Sequence, residues 1–314
     1  MKKLLLDAHC DTLWHSEDIY DNDVAHICLK KGECYDAYAQ FFAIFCTCGD
    51  PETYPTLADQ TARAKEVYGI ETGRYEAMLA NYPEKVVRCR NYADLCAAKA
   101  AGKIGAFLSV EGAEQTLGRT VDEIYADGVR MLTLTWNYQN FVGGTNLTGG
   151  GITEEGKAFV RSLQEKGIIV DLSHGSEELF WDVLKITKKP FIASHSNART
   201  ICRHVRNLTD EQFKALVRIG GVSGINLCDV FIRDGGNSTI EDVCRHIEHF
   251  LSLGGENNIA MGADLDGVGA LPAGIAHVDD LHKIGTALHE RGISETIIEK
   301  IFWGNLERVI KECL

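Results

Sequence analysis

Apolar runs recur along the chain, with amphipathic stretches between them. The runs are LLLDA (4–8), QFFAIF (40–45), IGAFLSV (104–110), VRMLTLT (129–135), IIVDLS (168–173), PFIAS (190–194), GVSGIN (221–226) and NIAMGAD (258–264). Short, near-continuous apolar runs are what strands buried on both faces require. The intervening segments 58–81, 120–128, 153–167, 176–187, 209–220 and 239–255 carry apolar residues at helical spacing. Several open on Ser or Thr followed by acidic residues and close at Gly, the start and stop signals of helices. Alternating strands and helices predict a parallel sheet. Eight such units in 314 residues predict an α/β fold of the (β/α)8 TIM-barrel type, with residues 1–314 as a single domain. The stretch GGTNLTGGG (143–151), after the fourth run, reads as a flexible loop over the site. No low-complexity stretch, linker or repeat is visible.

Composition narrows the partners. Hydrophobic residues make up 45% and charged residues 25%, as in soluble globular proteins. A formal charge of -13 disfavours nucleic acid, whose binders carry basic patches. No apolar run approaches the roughly 18 residues of a membrane span, so no membrane partner is expected. The opening MKKLLLDAH is too short in its apolar part for a signal peptide. Eleven cysteines without an export signal are expected as reduced thiols in a cytoplasm. Cys46 and Cys48 form C-x-C without a second pair at zinc-finger spacing, and most cysteines read as small buried apolar residues.

Candidate chemistry collects where the strands end, the face on which barrels of this kind place their sites. The first run ends in His9, Cys10 and Asp11. Residues two apart on a strand share a side, so His9 and Asp11 aim together and Cys10 points away. Glu111 follows the third run, Trp136, Asn137 and Asn140 the fourth, His174 the fifth and His195 the sixth. Asn226 follows the seventh and Asp264 the eighth. One histidine at a strand end is more often structural than a ligand. Three imidazoles and three carboxylates at one barrel end point to metal. His26, His246, His249, His282 and His289 lie in helical or loop patterns and read as surface residues. The nitrogen and oxygen donors suit zinc, with manganese, cobalt or iron as rivals. His9, Asp11, Glu111, His174 and His195 are more ligands than one open catalytic zinc takes. They fit two ions sharing the two oxygens of Glu111.

The strings DAHCDT, SVEGA, DLSH, ASHSNAR and GADLDG, in this order, resemble the renal (membrane) dipeptidase family, metallopeptidase family M19, a branch of the amidohydrolase barrels. The resemblance runs from about residue 4 through NLERVI near the end. It implies a soluble, bacterial-type dipeptidase acting on L-Xaa-L-Xaa and L-Xaa-D-Xaa substrates. It implies two zinc ions per chain, one held by His9 and Asp11, the other by His174 and His195, with Glu111 bridging. A hydroxide between the ions would attack the peptide carbonyl. Arg206, in RHVRN, matches the family arginine that binds the substrate carboxylate. Asp264 matches the aspartate that takes the water's proton and binds the substrate amine, which makes Asp264 and Glu111 the catalytic candidates. A homodimer is also implied.

One position departs from the pattern. The family carries a histidine where this chain has Trp136, and tryptophan offers only a neutral N–H donor. Losing a charged donor to an oxyanion costs on the order of 10²–10³ in rate. Either Trp136, Asn137 or Asn140 serves instead or turnover on ordinary dipeptides is weak, and Trp136, Asn137 and Asn226 join Arg206 and Asp264 as substrate-binding candidates. Two rivals follow: a related metallohydrolase of lactones, N-acyl amino acids or cyclic amides, and a metal-binding barrel without turnover.

Overall fold

A computed structural model of the protein describes residues 2–15 and 17–314. Its strands in chain order are β1 (Leu4–Cys10), β2 (Ala37–Ile44), β3 (Val86–Arg88), β4 (Ile104–Glu111), β5 (Val129–Thr133), β6 (Gly143–Thr145), β7 (Gly149–Ile152), β8 (Ile169–Asp171), β9 (Ser223–Ile225) and β10 (Ile259–Met261). Seven of them form a curled parallel sheet in the order β8-β5-β4-β2-β1-β10-β9. The short β3 pairs with the lower half of β4, below the stretch that pairs with β5.

The expected sixth strand is the exception. Residues 190–194 carry only single parallel bridges, Ile192 to Asp171 and Ala193 to Ser223. The Ser194 N–H turns instead to the Asp171 carboxylate at 2.7 Å, which ends the ladder there. These bridges still span the gap between β8 and β9, so eight parallel segments follow one another around the ring. The fold is therefore the expected TIM-barrel-like α/β architecture, with one segment too irregular to count as a strand.

The helices fall close to their expected places: Leu57–Asn81, Val121–Ala126, Glu154–Lys166, Glu177–Ile186, Asp210–Ile219 and Ile240–Ser252. Thr120, Thr153, Ser176 and Thr209 accept the backbone N–H three residues on, the cap their sequences announced, and Thr56 does the same ahead of the expected start at residue 58. The stretch 143–151 is not a flexible loop but the antiparallel hairpin β6–β7, buried through Gly143–Thr145 with Leu147 at its tip. His246 is likewise not on the surface. It is fully buried, accepting from Ala198 N–H and hydrogen bonded to the Ile232 carbonyl at 2.8 Å. Among the described residues no helix is long and apolar enough to cross a membrane.

Two apolar layers result. Leu5, Cys10, Phe42, Leu108 and Val110 pack outward with the helices. Leu4, Leu6, Ala8, Phe41, Phe107 and Met131 form an inner cluster, closed by Trp303, Leu306, Val309 and Ile310. The last three of these lie on the helix Asn305–Cys313.

Strand β1 switches faces at its end. Its register with β2 runs Leu6 to Ala39 and Asp7 to Gln40, then jumps to Cys10 opposite Phe42. Three steps on β1 oppose two on β2, which is a β-bulge. Strict alternation would turn His9 to the same side as Leu5, outward. The extra residue puts Cys10 outward and His9 and Asp11 inward, above Leu6 and Ala8. Buried Asp7 staples the bulge: its carboxylate accepts from His9 N–H (3.0 Å), Gln40 Nε2 (3.1 Å) and Ala263 N–H (3.0 Å).

Candidate metal centre and substrate pocket

Side chains from three other barrel segments converge on Glu111, at the end of β4. Its Oε1 lies 2.9 Å from His174 Nε2, 3.4 Å from His195 Nε2 and 3.7 Å from His9 Nε2. His9 Nε2 is in turn 3.5 Å from Asp11 Oδ2 and 3.7 Å from Asp264 Oδ1. One donor atom from each of His9, Glu111 and His195 lies within 4.8 Å of the others, and the same holds for His9, Asp11 and Asp264. All these groups are buried.

The arrangement fits metal on three independent counts. First, both ring nitrogens of His9, Nε2 of His195 and Oδ1 of Asp11 are buried without a hydrogen-bond partner among the described residues. Unpartnered buried polar atoms are costly, and several gathered in one cluster call for a cation. Second, Gly267 leaves room where nothing else could: a Cβ there would collide with both Asp11 Oδ2 and Asp264 Oδ1. Third, the charges are unbalanced. Burial alone would depress His9, yet Glu111, Asp11 and Asp264 outweigh it and lift its pKa to about 10. Burial together with Asp11 pushes the Glu111 pKa well up. Burial holds His174 and His195 well below the usual value, as neutral rings with a lone pair to give.

Hydrogen bonds outside this cluster aim the rings. Ser194 Oγ lies 2.7 Å from His195 Nδ1, and Asn137 Oδ1 lies 3.2 Å from His174 Nδ1. Each takes up the outer ring nitrogen and leaves Nε2 facing Glu111. Asp171 holds Ser194 in place, accepting from its Oγ at 2.6 Å and its N–H at 2.7 Å.

Above the cluster opens a cavity of about 360 Å³, within the range of small-ligand sites. Asp11, Glu111, Asp264 and Gly267 reach its floor, and Arg206, Trp136, Asn137, Phe45 and Phe231 are among its walls. Arg206 is 5% exposed, so this is a buried cation facing a cavity. Its Nη1 donates to the Ser173 carbonyl, and its guanidinium lies over the Phe231 ring at 5.5 Å. Burial lowers its pKa, with Asp264 and Glu111 acting the other way. Asp264 adopts a left-handed backbone (φ 58°) in the GADLDG turn. Burial raises its carboxyl pKa to about 6, against the pull of His9.

The remaining sequence candidates fall in different places. Trp136 lines the cavity. Asn137 also lines it, with its side-chain oxygen on His174. Asn226 lies fully buried behind Asp264, donating to Asp264 Oδ2 at 2.8 Å, so it positions that carboxylate. The Asn140 amide donates to Glu114 Oε2 (2.6 Å) and the Leu134 carbonyl (2.9 Å), and is spent there. Asp7, Asp171, Phe45, Trp14, His204 and Phe231 escaped the sequence reading. The two aspartates had a signal: each is an acid inside an apolar strand run. Phe45 ends the second run, where the strand-end rule applied to polar residues alone passed it over.

Comparison with known proteins agrees with the geometry. The chain is 32% identical over 275 residues to an uncharacterized protein from the pqqA 5' region of Klebsiella pneumoniae, covering 84% of this chain and 97% of that one. It is 31% identical over 308 residues to an uncharacterized dipeptidase of Schizosaccharomyces pombe, covering 94% of this chain and 74% of that one. A metallopeptidase from Rhodobacter sphaeroides, crystallised with a phosphinate mimic of the dipeptide L-Ala-D-Ala, superposes with a TM-score of 0.88 at 25% identity, over 100% of both chains. The profile of the membrane dipeptidases matches residues 1–313, and the chain belongs to that family, peptidase family M19.

Proposed function

We propose that this protein is a metal-dependent dipeptidase that hydrolyses L-Xaa-L-Xaa and L-Xaa-D-Xaa dipeptides. The observation that carries the reading is the pairing of a carboxylate–imidazole cluster with a buried arginine across one small cavity. A free dipeptide has a carboxylate at one end, an amine at the other and a single amide between, and this cavity offers a partner for each.

In this reading His9 and Asp11 would hold one divalent ion and His174 and His195 a second, with Glu111 available to both. Zinc suits the donor set, with manganese, cobalt or iron as alternatives. Bound there, the metal would supply an acidified water and polarise the scissile carbonyl. Arg206 fixes the substrate carboxylate, a charge-assisted contact strengthened by burial. Asp264 accepts the proton of the attacking water and returns it to the leaving nitrogen. Its place on the cavity floor, 3.7 Å from His9 Nε2, suits a carboxylate to both transfers. Asn226 holds Asp264 in place, and Asn137 and Ser194 hold the two imidazoles. Trp136 shields the centre from water.

The test is release of free amino acids from L,L and L,D dipeptides by the zinc-loaded protein, with Asp264→Asn as control. Hydrolysis that disappears in the variant supports the reading. No hydrolysis of any dipeptide by protein with metal bound would sink it, and lactones, N-acyl amino acids and cyclic amides would be tried next.

A further inference from the structure

The side chains around the cavity divide by their position on the ring. Trp14 follows β1, Phe45 follows β2, and Trp136 and Leu147 follow β5. His204 and Arg206 follow the 190–194 segment, and Phe231 follows β9, on the opposite arc of the sheet order. The first group makes a continuous wall from the floor to the rim. Ring centroids are 6.2 Å apart between His174 and Trp136, 4.8 Å between Trp136 and Phe45, and 6.1 Å between Phe45 and Trp14. Leu147, at the hairpin tip, lines the same cavity.

This wall is apolar where it meets solvent. Leu147 is 62% exposed and Trp14 is 36% exposed. Large apolar side chains left open beside a cavity mark a surface that a ligand covers. The charged groups lie elsewhere: Asp11, Glu111, Asp264 and Asp266 below, and Arg206 on the opposite arc. Among the described residues His15 lies beside Trp14 at the rim, and Arg74 donates to the Trp14 carbonyl at 2.9 Å.

We propose that Trp14, Phe45, Trp136 and Leu147 form the side-chain subsite for the amino-terminal residue of the substrate, and select an aromatic or branched apolar side chain there. This rests on the dipeptidase reading. A dipeptide with its carboxylate on Arg206 and its amide above Glu111 extends its first residue across the cavity, onto this wall. Aromatic rings gain edge and offset contacts there beyond their buried area. A carboxylate or ammonium at the same place would lose water against four apolar side chains. Trp136 stands where the sequence resemblance would place a histidine, so the same substitution that removes a polar donor also extends the apolar surface.

The experiment is a comparison of kcat/KM for Phe-Ala, Leu-Ala, Ala-Ala, Asp-Ala, Lys-Ala and Ala-Phe with metal-loaded protein, and with the variants Leu147→Asp and Phe45→Ala. We expect Phe-Ala and Leu-Ala to exceed Ala-Ala by about 10-fold and Asp-Ala by about 100-fold, the discrimination an apolar pocket can supply. Each variant should shrink the Phe-Ala to Ala-Ala ratio by several-fold. Leu147 is exposed at a hairpin tip, so its variant keeps the fold, which the melting temperature checks. Equal turnover of all six dipeptides, a preference for Ala-Phe over Phe-Ala, or a ratio that neither variant changes would overturn the subsite while leaving the dipeptidase reading intact. Silence on all six with metal bound would overturn the dipeptidase reading, and the subsite with it.

Discussion

Asp171 reaches His195 through a single hydroxyl: Ser194 Oγ lies 2.6 Å from Asp171 Oδ2 and 2.7 Å from His195 Nδ1. The hydroxyl can give its proton to the carboxylate and take one from the ring, which fixes His195 as the Nδ1–H tautomer with its Nε2 lone pair toward Glu111. Ser194→Ala should therefore weaken metal binding by roughly 10–100-fold, the usual range for groups that orient a ligand histidine. Competition against a chromophoric chelator measures this without any turnover. Unchanged affinity would mean that Ser194 serves only the backbone turn.

Gly267 offers a steric test of the same centre. Gly267→Ala adds a methyl group where Asp11 Oδ2 and Asp264 Oδ1 face each other. The methyl must push one carboxylate aside. Metal content per chain, read by elemental analysis after dialysis, should fall below that of the wild type, and dipeptide hydrolysis should fall with it. Full metal content in this variant would place the ion away from Asp11.

Asp264 and Arg206 should separate in their kinetics. Asp264→Asn removes the proton acceptor and should lower kcat by about 10²–10⁴, with bound metal retained. Arg206→Lys keeps a charge but loses the planar fork, so its loss should appear mainly in KM. Parallel losses in kcat and KM for both variants would argue against these separate roles.

His246 makes a prediction about acid stability. Burial depresses its pKa from 6.5 to about 4, against the pull of the Ile232 carbonyl. The unfolded chain takes up a proton below pH 6.5 that the folded protein refuses until about pH 4. The stability tied to this neutral ring is thus fully present above pH 6.5 and declines as the pH falls through that window. The loss is on the order of 3 kcal/mol by pH 4. Urea unfolding at pH 7, 5.5 and 4 would show it. His246→Gln, which keeps a donor and an acceptor, should show a shallower decline.

Much of this was legible in the chain because burial on both faces writes itself as apolar runs. All eight runs lie at barrel segments, and His9, Glu111, His174 and His195, read from strand ends alone, meet within hydrogen-bonding or ion-pair range. What the pattern could not carry was set by local departures from regular geometry. The bulge that turns His9 inward depends on three hydrogen bonds to Asp7, and period-two alternation points that ring the wrong way. Asn226 sits at a strand end like the ligands, yet its amide serves Asp264 from behind. Residue type and position could not distinguish a group facing the cavity from one supporting it. His246 looked like a surface residue because a helical pattern does not reveal that a loop, here at Ala198 and Ile232, folds over its polar side.

The inner core joins the beginning of the chain to its far end. Leu4 and Leu6 pack in one cluster with Trp303, Leu306, Val309 and Ile310. A ribosome adding about 5–20 residues per second takes roughly 15–60 s to travel between them. Through that interval Leu4 and Leu6 of β1 can meet Phe41 and Phe107 of the same cluster but not these four side chains. The strand that carries His9 thus gains one side of its packing only after residues 303–310 have been added.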